Sequence, residues 1–356
     1  MKSTRTYNEE NERVKRAYLT YLRLAKGYAM VSVDKSADAL LRFENAIGMK
    51  PFKNISIEDA KRFKDVLDST TNTRTGKPVS AALRVNVLNS VRAFVHWLAD
   101  RPGYKSSIRH SDADYFGPTL KDARIAQTRR PIPHPSPEQV LHAFRLMPIT
   151  TVIDRRNKAL FAMMMLTGAR IAAAATLTIG HVDLAAGSIF QDGRNVRTKF
   201  SKSFTTWFLP IDPIYLDCLT AWIAELRGQL LFSSTDPLFP RPKLHVSPEL
   251  GFQYIELTRT PYSSEESLRK FIKEAFTSAG LPPLTPHRFR NTLVQMSNAF
   301  CSTPEQIKAI SMNLGHEKIS TTIDDYGRLS PERQGEIIKA MRRKANNMRD
   351  TEWTGP

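Results

Sequence analysis

Residues 314–326 read LGHEKISTTIDDY, a run that places a tyrosine ten residues after a histidine. The glycine in this run suits the left-handed position that ends many helices, so His316 is expected at a sharp corner of the chain. Two consecutive threonines are each followed three residues later by an aspartate, which predicts a capped short helix that carries Tyr326. This geometry would bring His316 and Tyr326 into one pocket. Taken alone, such a pair is more often a core tyrosine beside a hydrogen-bonded histidine.

Two motifs that contain arginine precede this run. Residues 167–170 read TGAR, and residues 287–290 read HRFR. His287 and Arg290 are three residues apart on a predicted helix, so both project from one face. The spacing alone is weak support for a site, because it is also common on solvated helix faces. Arg170 lies in apolar surroundings and therefore requires an anionic partner, which a carboxylate or a phosphate could supply.

The charge of the chain indicates the kind of partner. There are 52 basic and 35 acidic residues, which gives a formal net charge of +17. Such an excess is typical of proteins that bind nucleic acid or an anionic membrane surface, although basic charge also aids solubility. Arginine binds phosphate through a planar fork of donors, and a tyrosine oxygen can act as a nucleophile. The combination suggests a protein that breaks DNA through its own tyrosine.

Composition excludes several other classes of protein. Apolar residues make up 41% of the chain, which is typical of a globular protein. Cys218 and Cys301 are the only cysteines, so neither a disulfide framework nor a thiolate zinc site is expected. Residues 1–12 lack the apolar core of a signal peptide. We therefore expect a cytoplasmic protein, associated with the nucleoid if it acts on DNA.

One stretch resembles a membrane span. Residues 159–177 are mostly apolar, with Arg170 as their one charged residue, and an arginine at the centre of a span costs roughly 2.5–3.5 kcal/mol. Two core helices that meet at Thr167 and Gly168 explain the stretch better.

The first hundred residues have the apolar spacing of helices, and the pattern then lapses until a new helix begins at Ser136. Alternating prolines in residues 129–135 forbid a helix there and favour an extended linker. The first-half helices are predicted over 8–26 and 36–47, from Ser56 with an acidic capping box, and from Ser80 to Leu98.

The second half is predicted to be mainly helical, with strands between Asp183 and Pro210. We expect strands from Ser188, over 195–198 and from Thr205. Lys199 and Lys202 would then lie at the tip of a basic hairpin.

The ordered set of TGAR, a hairpin lysine, HRFR, LGH and tyrosine resembles the tyrosine recombinase (phage integrase) family, over roughly residues 136–336. The resemblance implies a fold that is mainly α with a small antiparallel sheet: a helical core-binding domain and a mixed α+β catalytic domain. The domain boundaries that we predict are a core DNA-binding domain over 1–108, a basic extended linker over 109–135, a catalytic domain over 136–335, and a C-terminal helix and tail over 336–356.

The resemblance also implies a mechanism. Tyr326 would attack a backbone phosphate and leave a 3′-phosphotyrosyl link and a free 5′-hydroxyl. The covalent link conserves the energy of the phosphodiester, so neither metal nor ATP is required. Arg170 and Arg290 would hold the non-bridging oxygens, Lys199 or else Lys202 would protonate the leaving oxygen, His287 would assist proton transfer, and His316 would donate a hydrogen bond to the phosphate.

One position departs from the family pattern. The family often has an acidic residue three positions after the first arginine, and this chain has Ala173. Either another group holds Arg170, or the site is less rigid.

The expected partners also follow from the resemblance. They are duplex DNA with inverted-repeat sites, three further protomers in a tetramer on that DNA, and an accessory factor that bends DNA or sets directionality. No additional amino-terminal domain is apparent before the first helix, which favours short inverted sites. The C-terminal helix would pack on its own domain or be exchanged between subunits.

Two alternatives remain open at this level. A type IB topoisomerase shares the tyrosine chemistry but relaxes DNA without exchanging partners. A sequence-specific DNA-binding protein with a weakened site is the other alternative, and Ala173 is the best argument for it.

Overall fold

The computed structural model describes residues 7–73, 75–128, 134–247, 251–301 and 303–315. Two compact units divide the chain, the first over residues 1–130 and the second over residues 131–356. Each unit has its own hydrophobic core.

The first unit is helical. Its α-helices are α1 (Glu9–Leu24), α2 (Met30–Ala46), α3 (Ile57–Ser69), α4 (Ala81–Ala99) and α5 (Leu120–Gln127), and short 3₁₀ helices span Phe52–Asn54 and His110–Phe116.

Side chains at the predicted starts of α3 and α4 cap these helices. Ser56 and Asp59 form the capping box of α3, and the Ser80 hydroxyl accepts a hydrogen bond from the amide of Leu83. α2 begins at Met30, six residues before the predicted start at Ser36. The sequence pattern misses this first turn because Met30 and Val31 are apolar but exposed, which hides the helical spacing of the buried residues.

Interlocked phenylalanines form the core of the first unit. Phe43 packs edge-on against Phe63 and Phe116 with ring centroids 5.2 and 5.4 Å apart, and Phe52 packs in the same way against Phe94 at 5.1 Å. All five side chains are almost fully buried.

The interval predicted as an extended linker, 109–135, contains helix in its first part, and for residues 110–127 that prediction is wrong. The 3₁₀ helix there buries Ala113 and Phe116 in the core of the first unit. α5 is capped by Thr119 and Asp122, and Asp122 forms an ion pair with Arg84 on α4. These elements are too short to produce a helical apolar period. The proline-rich residues 129–133 lie outside the described residues.

The second unit surrounds a buried helix. Its α-helices are α6 (Pro137–Leu146), α7 (Val152–Thr167), α8 (Ile171–Ala174), α9 (Ile214–Gly228), α10 (Glu266–Ser278), α11 (His287–Phe300) and α12 (Pro304–Asn313). Residues 159–167 of α7 are all buried, and α7 ends where the sequence predicts, at Gly168 in the left-handed conformation. Among the described residues, no helix has the length and apolarity to cross a bilayer.

Two small antiparallel sheets complete the second unit. The first has the order β1 (Val182–Asp183), β2 (Ser188–Gln191), β3 (Phe204–Trp207), and the second pairs β4 (Pro242–Ser247) with β5 (Gly251–Leu257). The fold is therefore mainly α with small antiparallel sheets, as the sequence predicts.

The membership of the first sheet corrects one prediction. Residues 195–198 are not a strand, because the amides of Asn195 and Val196 both donate to the carbonyl oxygen of Asp192 and close a turn. β3 pairs directly with β2, so residues 192–203 form one long loop, and the two-residue β1 takes the third place.

Candidate functional site

The first arginine follows a corner that the sequence builds locally. The Thr167 hydroxyl donates to the carbonyl oxygen of Met163 at 2.7 Å and accepts from the amide of Ala169 at 3.0 Å. Gly168 adopts φ +61°, which reverses the chain after α7. Arg170 is consequently placed as the N-cap residue of α8.

Arg170 is half-buried, and among the described residues its guanidinium has no hydrogen-bond or ion-pair partner. Burial lowers the pKa of Arg170, because desolvation disfavours the charged form and no carboxylate in the described part of the chain opposes this effect. Ala173 is 1% exposed and packs in the core. Asp183, the nearest acid downstream, caps a turn at the amide of Ala186.

The second arginine connects two corners. Arg290 is 5% exposed and lies on α11, one residue after Phe289, whose ring packs edge-on against Phe161 of α7 at 4.7 Å. Its Nη1 donates to the carbonyl oxygen of Gly168, and its Nη2 donates to that of Leu314, both at 2.6 Å. One guanidinium therefore holds the corner before Arg170 and the corner before His316 in a fixed relation.

Gly168 permits this close approach. A Cβ atom at Gly168 would lie 2.4 Å from Cδ2 of Leu314 and 3.2 Å from Cδ1 of Leu293. Any side chain at this position would separate the two corners that Arg290 joins. His287 is exposed at the first position of the same helix, one turn before Arg290.

The second corner forms as predicted. Thr303 and Gln306 make the capping box of α12, and Gly315 follows the helix at φ +65°. A Cβ atom at Gly315 would lie 2.8 Å from the Phe204 ring, so the corner lies directly against β3. His316 and Tyr326 lie outside the described residues, as does the predicted C-terminal helix.

Asn313 also fixes this corner to β3. Its Oδ1 accepts from the amide of Trp207 at 2.6 Å, and its Nδ2 donates to the carbonyl oxygen of Trp207 at 2.9 Å. The Thr206 hydroxyl donates to the carbonyl oxygen of Asn313 at 3.3 Å and accepts from Nε2 of Gln191 at 2.7 Å. The sequence alone does not reveal this role of Asn313, because its partner Trp207 lies 106 residues away.

Lys199 lies exposed in the loop between β2 and β3, and Lys202 is exposed in the same loop. Phe200 and Ser201 between them have φ values of 60° and 51°, a left-handed conformation that is uncommon for non-glycine residues and that closes a tight turn here. The Nζ of Lys199 lies 4.9 Å from the centroid of the Phe200 ring. The exposed tip thus carries both lysines that the sequence singled out.

Hydrogen bonds within and below the loop limit its freedom. The Thr198 hydroxyl donates to the carbonyl oxygen of Lys202 at 2.7 Å, and the amide of Gly193 donates to the hydroxyl of Ser203 at 2.9 Å. At the base, the amide of Arg197 donates at 2.9 Å to the hydroxyl of Thr176, just after α8. The loop is therefore attached to the α8 segment that Arg170 opens.

This architecture, with two arginines and an exposed lysine loop in one helical unit, has known counterparts. The model of the phage integrase family matches residues 138–333, which is more than half of the chain. The chain therefore belongs to the phage integrase family, and it is a tyrosine site-specific recombinase.

Two relatives agree with this assignment. The tyrosine recombinase XerC of Oceanobacillus iheyensis is 20% identical over 310 residues, which cover 86% of this chain and 88% of the relative. XerC of Roseiflexus castenholzii is 29% identical over 171 residues, 47% of this chain and 46% of the relative.

The fold is similar to two solved structures in particular. The integrase of the transposon Tn1549, in complex with transposon right end DNA, has a TM-score of 0.61 at 14% identity and covers 92% of this chain and 99% of that one. XerH site-specific recombinase, bound to palindromic difH substrate, has a TM-score of 0.59 at 15% identity over 92% and 83%.

Proposed function

We propose that this recombinase cleaves and rejoins DNA through a 3′-phosphotyrosyl intermediate. The phenolic oxygen of Tyr326 gives up its proton, a transfer that His287 assists, and attacks a backbone phosphorus, while the bond from phosphorus to the 5′ oxygen breaks. The ammonium of Lys199 gives its proton to that leaving oxygen, with Lys202 as the alternative donor. The phosphodiester energy remains in the covalent link, so the reaction proceeds without metal or ATP.

The observation that carries the proposal is the state of Arg170. A half-buried guanidinium without a partner among the described residues is costly, and an anion at this position would offset that cost. A DNA phosphate supplies that anion, and Arg170 would then stabilise the charge that develops on the non-bridging oxygens in the transition state. The lack of a carboxylate at Ala173 makes the guanidinium more dependent on the phosphate.

The remaining roles belong to Arg290, His287 and His316. Arg290 assists at the phosphate while it holds the two corners together. His287, exposed one turn earlier on α11, assists proton transfer, and His316 donates a hydrogen bond to the phosphate.

The proposed partners are duplex sites with inverted repeats and four protomers assembled on two such sites, with an accessory DNA-bending or directionality factor. Among the similar proteins, a lambda integrase dimer is bound to a COC′ core site, and XerH is bound to palindromic difH substrate. The first unit serves as the core DNA-binding domain, and the C-terminal helix packs in cis or on a neighbouring subunit. The net charge of +17 also suits a site on the bacterial nucleoid.

Covalent trapping tests the proposal. Wild type and Tyr326→Phe are incubated with nicked duplex fragments from the DNA that flanks the gene, and protein–DNA adducts are separated on denaturing gels. A nick beside the scissile phosphate releases a short strand on cleavage, so the adduct cannot reverse. With wild type only, we expect an adduct in which the protein is attached to the 3′ end at the break. It should form equally well in excess EDTA.

Other outcomes discriminate between the alternatives. Relaxation of any supercoiled plasmid without a specific site would favour a type IB topoisomerase. Tight, sequence-specific binding by both proteins without an adduct would favour a DNA-binding protein with a weakened site.

A further inference from the structure

The carboxamide of Asn313 occupies a position that the sheet leaves open. β3 is the edge strand of the β1–β2–β3 sheet. The amide of Phe208 donates inward, to the carbonyl oxygen of Gly187, so the amide and carbonyl of Trp207 point outward. Both outward groups of Trp207 are satisfied by Asn313, at 2.6 and 2.9 Å. A side chain of α12 thus acts as one residue of a further strand.

The Asn313 carboxamide both accepts a hydrogen bond from the Trp207 amide and donates one to the Trp207 carbonyl oxygen. This pairing needs one acceptor and one donor on the same planar group, and an aliphatic side chain has neither. Asn313 is 9% exposed, so water does not readily replace the two hydrogen bonds if they are lost.

The contact between Asn313 and Trp207 connects two parts of the proposed site, the corner at Leu314 and the loop of Lys199. On one side, Asn313 begins the corner at Leu314, which Arg290 holds and which His316 follows directly. On the other side, Trp207 belongs to the strand that leads from the loop of Lys199. The hydrogen bond from the amide of Arg197 to the Thr176 hydroxyl attaches the base of this loop to the segment just after α8.

We propose that Asn313 is a positioning residue that holds the Lys199 loop in register with the arginine-bound phosphate. It acts through Lys199 and does not touch DNA. This inference rests on the proposed function, because it assumes that Lys199 protonates the leaving 5′ oxygen.

The test compares two leaving groups. One nicked substrate has the natural phosphodiester, and the other has sulfur in place of the bridging 5′ oxygen. A thiol has a pKa of about 8.5, so the thiolate leaves without a proton and the general acid becomes unnecessary. We expect Asn313→Ala to slow cleavage of the natural substrate by roughly 10–100-fold. With the sulfur substrate its rate should be within about threefold of wild type, as for Lys199→Ala, because both lack only the proton donor.

A double-mutant cycle supplies an independent readout. If Asn313 acts through Lys199, adding Asn313→Ala to Lys199→Ala causes no further loss on the natural substrate. Ser311→Ala is the matched control, because Ser311 is a buried residue of the same helix whose hydroxyl has no hydrogen-bond partner among the described residues. It should cleave both substrates at the wild-type rate.

Two results would overturn the inference: an equal loss on both substrates, or multiplied losses in the double variant. Should Asn313→Ala not fold, Asn313→Asp keeps the size and the acceptor but loses the donor at neutral pH, and the same two comparisons apply. A wild type that forms no adduct on either substrate would instead refute the proposed function. The two failures are therefore distinguishable.

Discussion

Arg290 and Gly168 are joined by a hydrogen bond of 2.6 Å from Nη1 to the carbonyl oxygen, across 122 residues of sequence. The Nη2 of Arg290 donates a second hydrogen bond, also of 2.6 Å, to the carbonyl oxygen of Leu314. The spacing of His287 and Arg290 on one helix face predicts none of this. Arg290 is a structural connector between the two corners of the site, whatever else it contacts when DNA is bound.

Arg290→Lys should destabilise the protein without DNA. A lysine has one ammonium group in place of a planar fork, so it cannot reach both carbonyl oxygens and leaves one of them unsatisfied in the core. We expect a loss of about 2–4 kcal/mol in the free energy of unfolding. Urea denaturation measures it, and Arg269→Lys at an exposed position of α10 is the control. Equal stability of the two variants would contradict the connector role.

Gly168→Ala should separate the two corners. The alanine is strained at φ +61°, and its Cβ would lie 2.4 Å from the Leu314 side chain. We expect a loss of about 1–3 kcal/mol of stability together with reduced cleavage. Gly228→Ala is the matched control, since nothing lies within 4 Å of its added Cβ, and it should be neutral or slightly stabilising. Circular dichroism melts and adduct formation measure both effects.

Arg170→Gln should strongly reduce cleavage without a loss of stability. In the free protein the charge of Arg170 is desolvated without a compensating partner among the described residues, so its removal costs nothing in the fold. We expect the free energy of unfolding to stay within about 0.5 kcal/mol of wild type or to rise. Adduct formation should fall by roughly 10²–10³.

Arg155→Gln is the control for Arg170→Gln. Arg155 forms two hydrogen bonds with Glu225, at 2.9 and 2.8 Å, in a partly exposed ion pair. Its loss should cost about 0.5–1 kcal/mol and leave cleavage intact. If Arg170→Gln were the more destabilising of the two, the guanidinium would have a structural partner and the argument for a phosphate would be lost.

The carboxyl group of Asp59 should make the free energy of unfolding decrease at low pH. Burial alone would raise its pKa, but hydrogen bonds from Lys50 at 2.7 Å and from Ser56 at 2.9 and 3.0 Å outweigh burial, and the net pKa is lowered. A lowered folded-state pKa adds stability that is fully present above the unfolded value of about 3.9 and is lost as the pH falls through the folded value.

Urea midpoints from pH 7 to pH 3 for wild type and Asp59→Asn measure this contribution. The advantage of wild type should be constant down to about pH 5 and shrink below about pH 4. Asp65→Asn, exposed on the same helix, controls for the loss of one negative charge. If wild type became more stable relative to Asp59→Asn as the pH fell, the pKa of Asp59 would be raised in the folded protein and the prediction would be wrong.

Local chemistry made several elements predictable. Ser56 with Asp59, Ser136 and Thr303 each begin a helix where the sequence places one, and Gly168 and Gly315 end helices in the left-handed conformation. These signals lie within four residues of the backbone groups that they satisfy, so they can be read without the fold. The ordered motifs also identified the family.

Elements without such local signals were missed. The strand predicted over residues 195–198 is wrong, because the amides of Asn195 and Val196 both bond to the carbonyl oxygen of Asp192 and belong to a turn. The hairpin of β4 and β5 was not predicted, although residues 251–257 read GFQYIEL, which is rich in strand formers.

The sequence by itself determined which chemical groups this recombinase has and where its helices begin and end, because caps and left-handed glycines act over a few bonds. Only the tertiary structure decided which backbone groups Arg290 and Asn313 bind, and that Arg170 has no partner among the described residues. The bonds of Asn313 to Trp207 and of Arg290 to Gly168 join segments that are 106 and 122 residues apart in sequence, and burial of the second unit's core brings these segments together. Hydrophobic burial is not directional, so it brings the segments together without fixing their relative orientation. The directional hydrogen bonds of Arg290 and Asn313 fix that orientation.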